Sequence, residues 1–283
     1  MAILLRVIKA VLLSVATALI IVSGLFFIFS NFHIQSDPDQ DILGNYIIEE
    51  GGVIPACADY LLKYITLQNF EFNITSYRAG HGIFAAHLVS TIKMVVSTLM
   101  VILLSVLLLA GYRVKRNKKK NIIGSFISSL STIHTLIFLA LTTLFLKIVD
   151  LPFWGYILII AISNNIFKEF YSDLNNELDR ILGEKYVQRA VAWGNSRLSY
   201  ALPDIIITFS RSISSKFPLL LSSTFIIEYF SPNNSGLALD LLNGVANHDY
   251  FLVLSVTGVL VFTTTIIYNL GQFPTVLDPR HSK

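Results

Sequence analysis

The chain has 283 residues, 54% of them hydrophobic and only 14% charged, with a mean hydropathy of +0.65. A soluble domain carries about a quarter charged residues, so the composition excludes an ordinary soluble enzyme and implies an all-α, polytopic membrane protein. The net charge of +3 is small, and the single Cys57 excludes an intramolecular disulfide and any cysteine-only metal cluster.

The first apolar block, "AILLRVIKAVLLSVATALIIVSGLFFIFS", has a core from Ala10 to Ser30. It is longer than a signal-peptide core, and no small-x-small cleavage site follows it, so it is read as a retained first transmembrane helix. Six spans are expected, at about 8–30, 88–111, 124–147, 151–167, 205–229 and 251–271, most of them near the ~20 residues that cross a bilayer. Pro152 suits the first turn of the fourth, where its missing N–H costs nothing. The expected domains are a first helix at 1–30, an external cap at 31–87 and a membrane domain at 88–283 that carries a loop at 168–204.

Basic residues set the expected orientation, because Lys and Arg in short loops favour the cytoplasm. Arg6 and Lys9 precede span one, "YRVKRNKKKN" follows span two, and the 168–204 loop holds Lys168, Arg180, Lys185, Arg189 and Arg197. All of these fall on one side if both termini are cytoplasmic. The opposite side then receives 31–87, where Lys63 and Arg78 face seven acidic residues. Beside a span, the basic run is topological rather than a nucleic-acid patch, and no nucleic-acid partner is expected. Turn formers in "DPDQDILGNYIIEEGG" and helical spacing at Ala58, Leu61, Leu62 and Ile65 give a small, partly helical cap.

No P-loop, H-E-x-x-H or C-x-x-C occurs, and the six histidines are scattered. Neither catalytic residues, nor a metal, nor a cofactor is expected. Ser and Thr in "GSFISSLSTIHTL" fit hydrogen bonds between helices better than nucleophilic roles. No inverted repeat or pair of interrupted helices, the mark of many secondary carriers, stands out in the sequence.

In "NNELDRILGEKYVQRAVAWG", Leu178, Ile181, Leu182, Tyr186, Val187 and Ala190 recur at a spacing near 3.6. One or two short amphipathic helices follow, with Gly183 between them and Gly194 as terminator at positive φ. Such a helix lies on lipid headgroups or docks into a partner's groove.

Further residues carry a family resemblance. "EKYVQRAVAWG" resembles the coupling loop of inner-membrane permease subunits of peptide- and nickel-type ABC importers, with Tyr186, Val187, Ala190, Ala192 and Gly194 in register. "ALPD" at 201–204 is similar to the segment after that loop. "SYRAGHG" looks like the approach to the family's second span, and "EYFSPNNSGLALDLLNGVANHDYFLV" and "LDPR" match later elements. Trp193 departs from the pattern, about one helical turn is missing before "ALPD", and the family's P-G-L-G reads "PNNSGLA". A divergent member is expected.

The resemblance implies a multi-pass protein of the bacterial inner membrane that forms a path for peptides or a similar small solute, with a nickel chelate as another option. ATP-binding ABC subunits would drive it, a second permease subunit would pair with it, and a periplasmic or extracellular solute-binding protein would deliver the solute. The coupling residues it implies are Tyr186, Val187, Arg189, Ala190, Ala192 and Gly194. Arg211, Ser214 and Lys216 in "SRSISSK" give span five a polar side, read as pore-lining, since charges in mid-membrane usually face water or protein. The alternative is a later helix start with Arg211 snorkelling to the interface. A different class of function, an inner-membrane scaffold or assembly protein binding an external partner, fits the acidic cap.

Overall fold

A chain this apolar must satisfy its backbone N–H and C=O groups within its own segments, and helices do so locally. The computed structural model describes residues 2–32, 42–66, 83–116, 122–146, 151–194, 197–231, 236–247 and 249–271. Among these the regular structure is helical throughout: α1 (Ala2–Phe32), α2 (Ile42–Glu49), α3 (Val53–Ile65), α4 (Ile83–Arg116), α5 (Ile122–Leu130) and α6 (Thr135–Leu146). There follow α7 (Phe153–Ile162), α8 (Ile166–Gly183), α9 (Lys185–Ala192), α10 (Arg197–Phe230), α11 (Leu237–Ala246) and α12 (Tyr250–Gly271).

Three helices are long and apolar enough to cross a bilayer, at Val11–Asn31, Ala86–Arg113 and Tyr250–Asn269. They coincide with the expected first, second and sixth blocks. The third block is not one straight helix: α5 and α6 meet at a 96° bend and count as a fourth crossing only if taken together. The fourth block is also interrupted. Its helix α7 has 10 residues, about 15 Å of rise against a hydrocarbon core of about 30 Å, and ends at Ser163 before α8 begins. The fifth block lies within α10, whose 34 residues also take in "ALPD". Segments 33–41 and 67–82 of the expected cap, together with "LDPR", lie outside the described residues.

The chain divides into two compact units. The first comprises residues 1–92 and 234–266. Its core gathers Val22 and Phe26 of α1, Tyr60 of α3 and Phe251 and Leu254 of α12. The Tyr60 ring lies 5.6 Å from the rings of both Phe26 and Phe251, and its hydroxyl reaches Ser255 Oγ at 3.1 Å. Helix α3 is amphipathic. It buries Ala56, Cys57 and Tyr60 and exposes Ile54, Leu62 and Ile65. On its polar edge Asp59 accepts from the Tyr46 hydroxyl and pairs with Lys63. The Lys63 hydrogen bond comes first among the causes that hold the Asp59 carboxyl below the usual carboxylate range, while burial pushes the Tyr46 phenol up.

Cys57 is a free, buried thiol, and burial raises its pKa. Because the thiolate is the reactive form, the folded protein is expected to resist iodoacetamide at pH 7 and to react stoichiometrically once denatured. Intact mass after a timed pulse checks this, and prompt labelling of the folded chain would contradict the placement of α3.

The second unit comprises residues 93–233 and 267–283. Its core runs through Ile102, Val106, Ile160, Ile166, Leu178, Ile181, Ile205, Leu220 and Ile227. Helix α8 lies along α10, while α5, α7 and α9 pack against α8 as well.

Candidate functional site

Two helix interruptions meet in the second unit, and the sequence reading had missed them as a pair. The α5–α6 break spans 131–134, and the α7–α8 break spans 163–165, where Asn164 (φ 52) and Asn165 (φ 59) are left-handed. Asn is one of the few residues besides Gly that visits this region routinely, which explains why "NN" stands there. Each break leaves backbone groups without helical partners, and each supplies the other. The Asn164 N–H donates to the Ile133 carbonyl at 3.0 Å and the Asn165 N–H to the Ser131 carbonyl at 2.5 Å. The Lys168 N–H meets Ser131 Oγ at 3.3 Å, and the Thr135 N–H meets Asn164 Oδ1 at 3.3 Å.

Ser223 of α10 closes the joint. Its Oγ accepts from Asn164 Nδ2 at 2.7 Å and from the Thr135 hydroxyl at 3.2 Å, and Thr135 also meets Ser163 Oγ at 2.8 Å. Thr135, Ser163 and Ser223 are fully buried. Of the serines and threonines in "GSFISSLSTIHTL", Ser131 and Thr135 make the expected hydrogen bonds between helices, whereas Ser129 and Thr132 bond carbonyls of their own segment.

From this joint α8 runs out as an arm. Its buried face carries Ile166, Phe170, Leu174, Leu178 and Ile181. Its polar face meets two other helices. Glu169 pairs with Lys216 at 2.7 Å, and Asp173 accepts from the Ser212 hydroxyl at 2.7 Å, both clamping α8 to α10. Arg113 of α4 is buried and donates to Asn175 Oδ1 at 2.6 Å and to Asp179.

The arm ends at Gly183, as the glycine spacing predicted, and the chain turns at Glu184 into α9. Arg180 spans the turn, pairing with Glu177 and with Glu184 at 3.3 Å. Its guanidinium is held still more firmly protonated by the Glu177 hydrogen bond. The Gln188 side chain returns to the Gly183 carbonyl at 3.2 Å. Gly194 takes φ 83, again as expected from its place after the helix.

The sequence-derived residues fall into four groups. Val187 is 1% exposed and belongs to this chain's own core, so it seats α9 on the arm rather than projecting from it. Arg189, Ala192 and Gly194 are exposed, and so is Trp193 at 84%, a large apolar side chain left in the open at the helix end. Tyr186 and Ala190 lie within α9, with side chains outside the described set. On α10, Lys216 has its carboxylate partner and Ser214 is buried against Gly271, where a Cβ would come within 2.3 Å of it. Arg211 is half-buried, and its Nε has no hydrogen-bond partner among the described residues.

Replacing Lys216 by Met leaves Glu169 without its partner, and a half-exposed pair of this kind contributes up to about 1 kcal/mol. Glu169→Gln in the Lys216→Met background is expected to cost less than it does alone. A double-mutant cycle on thermal unfolding reads that coupling, and strict additivity would mean that the pair contributes nothing.

In the first unit, His87 and Asp240 form a pair that the scattered histidines did not reveal. Nδ1 and Oδ1 lie 2.8 Å apart, and burial raises the Asp240 carboxyl. Beside them the Leu237 N–H at the start of α11 donates to Thr91 Oγ1 at 3.0 Å. No group of three or more metal-ligating side chains occurs among the described residues. Compared with known proteins, the chain matches no family model, no curated protein and no solved structure at a significant level.

Proposed function

We propose that the chain is the membrane-embedded permease subunit of a binding-protein-dependent ABC importer, moving a peptide or similar small solute, with a nickel chelate as the other candidate cargo. The observation that carries this reading is the α8–α9–α10 arm. A short amphipathic helix, seated by Val187 and ended by Gly194 at φ 83, presents Gln188, Arg189, Ala192 and Trp193 outward. That outward face, with Trp193 at its end, is open to a groove on a separate ATPase subunit, and it coincides with the stretch that resembles the family's coupling loop.

In this reading six segments cross the bacterial inner membrane, both termini are cytoplasmic, and 31–87 forms the periplasmic cap that meets the solute-binding protein. ATP-driven closure of the ATPase dimer pulls on α9. The clamps at Glu169–Lys216, Asp173–Ser212 and Arg113–Asp179 pass that movement to α10 and α4. The paired breaks at 131–134 and 163–165 give the arm a fixed root. Ser214 and Lys216 act within this transmission, and Arg211 is the residue of the three assigned to the translocation path. A second permease subunit completes that path, and the chain itself carries no catalysis.

Affinity purification of the tagged chain from its native membrane tests the proposal. An ATP-binding subunit is expected to co-purify in stoichiometric amount, together with a second permease. Recovery of the folded chain with an external partner and no ATPase would favour a scaffold instead.

A further inference from the structure

The first unit holds a cavity of about 370 Å³, within the range of small-molecule sites. Its walls are Val15 and Ala18 of α1, Tyr64 of α3, Leu88 of α4, and Val259 and Phe262 of α12. Three of these four helices are the ones long and apolar enough to cross a bilayer. The lining has almost no polar groups to offer. The Thr263 hydroxyl, also at the wall, is committed to the Val259 carbonyl at 2.7 Å. The Tyr64 ring lies against Gly258, where a Cβ would sit 2.8 Å from it, and burial raises its phenol to about 12.

Water has no partners in such a space, and an empty void of this size forfeits dispersion contacts along its whole lining. The mouth indicates what fills it. Ile65 and Ile92 line the cavity yet are 56% and 47% exposed, and their neighbours Leu62 and Val89 are both 63% exposed. The opening therefore gives onto a surface of bare aliphatic side chains, the kind that faces hydrocarbon. The exposed stripe of α3, Ile54, Leu62 and Ile65, continues that surface and suits a helix lying at the membrane interface.

We propose that the cavity bounded by α1, α3, α4 and α12 binds one acyl chain of a membrane lipid, which enters past Ile65 and Ile92. Recognition is of the chain and not of the headgroup, since the lining offers shape and apolar surface rather than a charged group. The bound chain is part of this unit's packing, and its removal loosens α3 from the helices around it.

The test uses the full-length protein in detergent with phosphatidylcholine brominated on one chain. Trp154 and Trp193 are replaced by Phe, and Phe262→Trp serves as the reporter. Quenching is expected to saturate at one lipid per protein and to be unchanged when phosphatidylglycerol of the same chains is used. Ala18→Phe fills the cavity and is expected to abolish the saturable phase. Leu88→Phe does the same from another wall, and an unchanged thermal unfolding profile for either variant shows that the protein is still folded. Native mass spectrometry of the unmodified chain is expected to retain one adduct, whose mass separates a phospholipid from a free fatty acid. Quenching that rises linearly with lipid and is the same in both filled variants would overturn the proposal. So would strong dependence on the headgroup.

Discussion

Ser223→Ala is expected to destabilise the protein by about 1–3 kcal/mol, because the Asn164 side-chain amide loses its acceptor inside the joint and an unsatisfied donor costs roughly that much. The Asn164 Nδ2 bond is lost outright, while the Thr135 hydroxyl keeps Ser163 Oγ at 2.8 Å. Alanine removes only the hydroxyl, so the loss is polar rather than steric. Ser222→Ala, one residue away and exposed, is expected to change little. The measurement is the thermal midpoint of the solubilised protein, with steady-state abundance in the membrane as a second readout. Equal behaviour of the two variants would mean that the joint between the helix breaks does not hold the second unit together.

On the proposed function, Trp193→Ala is expected to weaken association with an ATPase subunit by about 30-fold or more, since an exposed Trp that becomes a buried anchor is worth about 2 kcal/mol or more. Gly194→Val acts differently. No atom lies within 4 Å of the position a Cβ would take, so the substitution is strained only through φ 83. That strain costs roughly 1–2 kcal/mol, enough to displace the end of α9 without unfolding the arm. Both variants are expected to insert, Trp193→Ala with wild-type thermal stability and Gly194→Val with a loss no larger than that strain, while solute-dependent ATP hydrolysis is lost in each. Tyr186→Asp should share this phenotype. Normal coupled hydrolysis in all three would remove α9 from the mechanism.

The helical architecture was legible from composition, and the stretches of α1, α4 and α12 that are long and apolar enough to cross a membrane from uninterrupted apolar length. The arm was legible too. The 3.6-residue spacing from Leu178 to Ala190 and the glycines at 183 and 194 place the end of α8 and both ends of α9 within a residue or two, but not the start of α8 at Ile166, which fell inside the expected fourth span. What the sequence did not show was the pair of breaks. "SSLSTIHTL" and "AISNNIFKEF" contain no Gly or Pro, and their mean hydropathy permits continuous helices. Each interruption is stable only because the other satisfies its backbone, a tertiary fact with no local signature beyond the Asn pair. The charges of α10 were ambiguous for a similar reason. Lys216 reads as pore-facing when α10 is considered alone, and its pairing with Glu169 appears only when α8 is laid beside it. His87 and Asp240 are 153 residues apart, and nothing in the chain order links them.

The central claim is that the face of α9 opposite Val187 docks an ATPase, and site-specific photo-crosslinking tests it most directly. Gln188 is exposed, so a benzophenone amino acid there samples whatever covers the helix in its native membrane. The account predicts a single light-dependent adduct that contains an ATP-binding subunit and disappears in the Trp193→Ala background. Adducts to lipid alone, or to a protein with no nucleotide-binding motif, would contradict it.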